Sequence, residues 1–239
     1  TPTGQPDGVD FYGSVEVMAR DNLMFSAFIS RVAPYAKHPD VKGGFWFDEN
    51  MVPQVNNPGF VQGLEDFVEA VGFVPPGYSS TGLAEEIGSF GKGEAMFSYT
   101  WDDAYVQANQ KDSPIRTNVA AAPLPGAEKV WNRATGQWDT PAGGVNFAPY
   151  ISWGWTSAVT EASPSKELAF DYLCFFGNKA NHSIDLTIGR FGVNPGRTSD
   201  LETSFWTEKA GWEPQAAESY IETLSNYETN TNRVFDLRV

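Results

Sequence analysis

Residues 91–105, GKGEAMFSYTWDDAY, bring Tyr99, Trp101, Asp102 and Asp103 within five positions of one another. That combination suits recognition of a polyhydroxylated ring. Sugars present faces of weakly positive C–H groups, and the indole of Trp101 offers both apolar area and a negative quadrupole. Ionised carboxylates accept hydrogen bonds from hydroxyls more strongly than neutral acceptors do. Each residue also has a plainer reading. Trp101 could pack against the protein's own surface, and acids in the first turn of a helix complement its dipole. A second aromatic group, Tyr150, Trp153 and Trp155, sits in PYISWGWTS. Alternation along a strand would place Trp153 and Trp155 on one face, which serves equally for burial or for stacking.

Other chemistry is sparse. A single cysteine, Cys174, excludes an internal disulfide and a multi-cysteine metal site. His38 and His182 are far apart, so neither a histidine metal centre nor a histidine-dependent triad is expected, and no cofactor is implied. There is no GxSxG, HExxH, GxxxxGK[ST] or strand-borne GxGxxG, and Ser89-Phe90-Gly91-Lys92-Gly93 lacks the spacing of a phosphate loop. Paired carboxylates could hydrolyse glycosides, but 30 acidic residues supply many such pairs by chance. The net charge of −14 argues against nucleic acid and anionic membranes as partners. No apolar run reaches the roughly 20 residues of a membrane span. The opening TPTGQPDGVDF is neither a signal peptide nor a helix start, so a mature export product begins here or the chain is a piece of something longer.

The elements that must position these residues alternate between strand and helix, which makes the class α/β. Phe11 to Val17 reads as a strand, and Asp21 as the N-cap of a helix reaching about Pro34. GGFWFDENMVPQV reads as a hairpin turning at Asp48-Glu49-Asn50. Asn57 and Pro58 then open a helix in which Phe60, Leu64, Phe67, Val68 and Val71 recur at helical spacing. A short helix with Leu83, Ile87 and Phe90 inward precedes a strand over 94–99, after which Asp102 and Asp103 begin another short helix. TNVAAAPLPG reads as a strand ending in a Pro-Gly turn, and 126–152 as a long irregular loop. Ser163 and Pro164 open a helix whose Leu168, Tyr172, Phe175 and Phe176 are expected to face the core. Further helices are expected around 179–189 and 214–226.

In this order the motifs resemble the extracellular solute-binding proteins of bacterial ABC importers, in the carbohydrate-binding group that includes maltose-binding protein. The segments that carry the resemblance are GGFWFDENMVPQVNNPGFVQGLEDFVE, FGKGEAMFSYTWDDAY, VAAAPLPG, EASPSKELAFDYLCFF and GRFGVNPGRTSD. The resemblance covers most of the chain and implies a type II periplasmic-binding-protein-like α/β fold, two lobes joined by a hinge with the ligand closed between them. Residues 1–121 and 190–239 would form the C-terminal lobe, and 122–189 the hinge crossover and a return to the N-terminal lobe. Proteins of this group carry a long stretch before anything like VDFYGSVEVMARDN and a final helix after a segment like VFDLRV. The expectation is therefore a fragment that is mostly the C-terminal lobe.

The resemblance also places candidate contacts. An aromatic near Trp101 stacks under a sugar in such proteins, and Arg20, Asp21 and Asn22 lie where polar contacts open a cleft-facing helix. Asp21 serves as well as a plain N-cap. Tyr150, Trp153 and Trp155 fall where the chain would cross the hinge, although the loop before them, with Gly143-Gly144, is longer than in the family. Arg190 and Arg197 lie in the return connector, where a structural role is the alternative. The implied function is a periplasmic or membrane-tethered extracellular monomer that hands a carbohydrate to a permease and performs no catalysis. A carboxylate-based glycoside-active enzyme and a lectin-like module are the alternatives.

Overall fold

The computed structural model describes residues 10–41, 45–151, 156–189 and 193–235. Strand β1 (Tyr12–Glu16) leads to helix α1 (Asn22–Ala36), and α2 (Pro58–Ala70) and α3 (Leu83–Gly91) precede β2 (Ala95–Tyr99) and α4 (Asp103–Ala108). A hairpin of β3 (Val130–Asn132) and β4 (Gln137–Asp139) comes next, followed by β5 (Tyr150–Ile151), α5 (Lys166–Gly177), α6 (Lys179–Ile188), α7 (Pro214–Thr229) and β6 (Val234–Phe235). No described helix is long and apolar enough to cross a membrane.

The expected caps form. The Asp21 carboxylate accepts from the amides of Leu23 and Met24, and the Asn57 side chain accepts from those of Gly59 and Phe60. β1 and β2 pair in parallel, with Tyr12 opposite Ala95 and Glu16 opposite Tyr99. Parallel neighbours need a crossover, and α1, α2 and α3 supply it. β5 and β6 form a second parallel pair. In the expected hairpin over 43–55, an antiparallel bridge joins Phe47 and Pro53 among the described residues.

Two larger apolar clusters hold many of these elements, beside a smaller one of Met18, Ala70 and Val74. One gathers Ile29, Val32 and Ala33 of α1, Phe60 of α2, Phe45, Tyr150 and Val234. The other is aromatic: Tyr105 of α4, Phe205, Trp206, Trp212 and Tyr220 of α7. Trp206 is fully enclosed, lies 4.4 Å from Trp212 between ring centres, and donates its indole N–H to the Asp200 carbonyl at 2.8 Å. Part of the tryptophan content is therefore core.

Several expectations are corrected. No strand forms over 117–126. The amides there are satisfied by α7 side chains instead, Ala121 N–H by the Ser219 hydroxyl and Leu124 N–H by the Tyr227 hydroxyl, both at 2.9 Å. The supposed loop 126–152 holds the β3–β4 hairpin, in which Trp131 faces Trp138 across the strands. Its turn is fixed by Asn132, whose side-chain oxygen accepts from the amides of Ala134 and Thr135, and by Gly136 at a φ of 68°. Helix α5 begins two residues later than expected, with Ser165 at the cap. Its Leu168, Tyr172, Phe175 and Phe176 do not face a core; they are 48–71% exposed. Helical spacing identifies a face that can be covered, not what covers it.

The α1–α2 contact depends on small residues. Leu64 and Val68 of the expected apolar stripe are exposed, while Gly59, Phe60, Gly63 and Ala70 are buried. A Cβ on Gly63 would lie 2.6 Å from Val32 Cα, whereas one on Gly72 would meet nothing within 4 Å. Gly63→Ala should therefore force the helices apart and cost about 1–3 kcal/mol. Gly72→Ala should be neutral or slightly stabilising. Urea unfolding of the two variants checks the contrast, and equal midpoints would contradict it.

Candidate functional site at the carboxyl edge of the parallel strands

Because β1 and β2 run parallel, the chain leaves both at the same edge, the position at which open α/β sheets present their ligand crevice. After Glu16 the chain continues through Arg20 and Asp21 into α1, and after Tyr99 through Trp101 and Asp102 into α4. The pairing thus delivers two candidate groups, far apart in sequence, to one edge. The amides of Met18 and Ala19 both donate to the Thr81 carbonyl at 3.0 Å, which fixes the first departure.

Trp101 is half-buried, so its indole is neither sealed in the core nor fully exposed. Tyr99 is also half-buried. Its ring carries the Arg31 guanidinium 4.5 Å from its centre, and burial raises its pKa. Arg20 is exposed. Asp21 is exposed with one carboxylate oxygen engaged in capping, and Asn22 opens α1.

Asp102 and Asp103 separate in role. Asp103 is buried at the start of α4. Asp102 accepts from the Tyr220 hydroxyl at 2.5 Å through Oδ2 and from the Asn194 side-chain amide through Oδ1. Its carboxyl pKa is pushed up to about 6, chiefly because burial penalises the charge, with the neighbouring Asp103 adding to the rise and Tyr220 and Asn194 opposing it.

The remaining candidates do not gather there as side-chain contacts. Tyr150 is buried in the cluster of Ile29 and Phe60. Arg197 donates to the Gly177 carbonyl at 2.6 Å, closing the end of α5 against the connector. Its backbone N–H donates to the enclosed Asp200, which also binds His182 at 3.0 Å. Trp153, Trp155 and Arg190 lie outside the described residues. No group of three His, Cys, Asp or Glu placed to hold a metal occurs among the described residues.

Sequence reasoning missed the polar layer beneath this edge. Glu16 is buried and accepts from Arg31 at 2.5 Å and from the Ser14 hydroxyl at 2.9 Å. Glu86 of α3, not Leu83, Ile87 or Phe90, is that helix's most enclosed residue, and it accepts from Ser98 at 3.0 Å. A charge within the apolar run SVEVM was the available signal for Glu16. One glutamate of the pair Glu85-Glu86 gave none.

Solved structures that share this architecture include three sugar- or polyol-bound proteins. Maltose-bound MalE3 of T. maritima aligns with a TM-score of 0.63 at 21% identity, over 96% of this chain and 51% of that one. A solute-binding protein of an ABC transporter from Agrobacterium vitis S4, with bound D-mannitol, gives 0.57 at 20%, over 90% and 46%. One from Agrobacterium radiobacter K84, in complex with ribitol, gives 0.58 at 21%, over 89% and 48%. No family profile matches the chain.

Burial raises the Glu86 pKa well above the usual 4.5, with the nearby Glu16 adding to the rise and the Thr100 and Ser98 hydroxyls opposing it. The folded state therefore keeps a proton that the unfolded chain releases. The stability this contributes is complete below the unfolded value and is lost as pH rises through the folded one. Relative to Glu86→Gln, the wild type should lose up to about 1.4 kcal/mol per pH unit across that window. Parallel denaturant titrations from pH 4 upward check this, and a constant difference between the two proteins would refute it. The chain has the type II periplasmic-binding-protein fold and spans about half the length of the solved proteins that share it.

Proposed function

We propose that this chain is the greater part of one lobe, the C-terminal one, of a solute-binding protein that captures a sugar or polyol and presents it to the permease of an ABC importer. Residues 1–121 and 190–239 belong to that lobe, and 122–189 form the crossover and the return toward the other lobe. The observation that carries the reading is a half-buried indole, Trp101, at the carboxyl edge of a parallel strand pair. It occurs in a fold whose solved examples hold maltose, D-mannitol and ribitol.

The physics needs no covalent step. An indole face removes the C–H face of a pyranose or the backbone of an extended polyol from water. Arg20 and Asn22, on the segment leaving β1, supply hydrogen bonds to hydroxyls, and Tyr99, Trp153, Trp155 and Arg190 complete the set. Closure of two lobes around the ligand is an equilibrium that the ligand biases through contacts made only in the closed state. Such a protein works outside the cytoplasmic membrane as a monomer. A glycoside-cleaving pair needs a carboxyl group free to reach the glycosidic oxygen. Asp102 directs its two oxygens at Tyr220 and Asn194, which favours binding over hydrolysis.

Calorimetric titration of the intact protein with maltose, D-mannitol and ribitol tests the reading. At least one should bind, and Trp101→Ala should weaken it about tenfold or more. Equal affinity in both proteins would sink the assignment of Trp101, and release of reducing ends from oligosaccharides would sink the binding function.

A further inference from the structure

The Asp102 carboxylate follows the candidate stacking residue directly, yet it reaches into the protein. Its two oxygens contact two different elements. Tyr220 belongs to α7 and to the aromatic cluster, with its ring stacked on Tyr105 at 5.5 Å and edge-on to Trp206 at 4.9 Å. Asn194 belongs to the connector that leads from α6 to the turn at Thr198–Leu201. That connector is held at its far end by Asp200, whose Oδ2 accepts from the amides of Gly196 and Arg197 at 3.2 and 3.0 Å. Asp102 is the corresponding anchor at the near end.

We infer that Asp102 is the positioning residue of the Trp101 platform: it holds the end of β2, the 193–197 connector and α7 in one arrangement and makes no contact with ligand. The inference rests on the reading of Trp101 as a ligand platform. It replaces the direct hydroxyl contact expected of Asp102 with an indirect role.

The donor count makes this role dependent on protonation. An ionised carboxylate accepts from Tyr220 and Asn194 together, and such charge-assisted bonds are the strong ones. A proton on Asp102 removes the charge that assists both bonds and turns one acceptor oxygen into a donor, so the tie to Tyr220 must reverse or that to Asn194 must weaken. The titratable groups acting on Asp102 are Asp103 beside it and Tyr220 on α7, and Tyr105 acts on Tyr220 in turn. With a carboxyl pKa near 6, the change falls between about pH 5 and 7.

The test pairs a ligand-free with a ligand-bound measurement on the intact protein, comparing the wild type with Asp102→Asn and Tyr220→Phe. Hydrogen exchange, corrected for the intrinsic pH dependence, is followed in peptides spanning 99–105 and 193–201. Both regions should be protected in the wild type at pH 7.5, and exchange should rise about tenfold or more at pH 5 or in Asp102→Asn at either pH. Tyr220→Phe, which keeps the ring packing, should give a smaller rise. Affinity for whichever of maltose, D-mannitol and ribitol binds should fall about tenfold in Asp102→Asn and lose the pH step near 6 shown by the wild type. Exchange in both peptides that is unchanged by Asp102→Asn overturns the inference. So does an affinity that falls in Asp102→Asn while its pH step persists, since the proton would then act elsewhere. If none of the three compounds binds the wild type, the sugar-binding reading fails, and the exchange comparison still decides whether Asp102 holds the platform.

Discussion

Glu16 stands opposite Tyr99 across two parallel strands, and the candidate site depends on that pairing. An antiparallel arrangement would send the two chain departures to opposite ends of the sheet. A parallel one sends both over the same edge, so the segments leading into α1 and α4 depart from that edge although about 80 residues separate them in sequence. The helices α1, α2 and α3 make the crossover, and the first two approach closely because glycines, rather than large side chains, line their contact.

The polar groups beneath the edge tie its elements to one another. Arg31 bridges Glu16 and the face of Tyr99, tying helix α1 to both strands through one side chain. A buried ion pair of this kind adds little net stability over apolar packing, but leaving one partner unpaired is costly, so it specifies an arrangement more than it strengthens one. Glu86 takes the other route available to an enclosed carboxyl: burial raises its pKa well above the usual range and so favours its neutral form. At the far side Asp102 joins strand end, connector and α7, so that three parts of the chain distant in sequence meet around the residue next to Trp101.

The local devices were legible in the sequence. Asp21 and Asn57 cap helices, and Pro58 opens one, where their types and positions say they should, because these starts are settled within four residues. Features set by distant partners were not. The extended segment at 119–124 has the composition of a strand, but its amides find hydroxyls on α7 about 100 residues away. The β3–β4 strands are three residues each, too short for their alternation to stand out among Gly and Pro. On α5 the spacing of Leu168, Tyr172 and Phe175 is plain, yet spacing carries no information about what covers the face. The same limit applied at the site. The chemistry of Trp101 and Asp102 could be named from their types, but the direction of the Asp102 carboxyl was decided by Tyr220 and Asn194, which no local pattern connects to it.

The central claim is that Trp101 is the surface on which a sugar or polyol rests. Fluorine spectra of the intact protein carrying 5-fluorotryptophan test it most directly, with the Trp101 resonance assigned through Trp101→Phe. On titration with maltose, D-mannitol and ribitol, the Trp101 line should move with a ligand that binds, while those of Trp206 and Trp212, enclosed in the aromatic cluster, stay in place. Saturable binding by any of these compounds that leaves the Trp101 line unmoved would contradict the account.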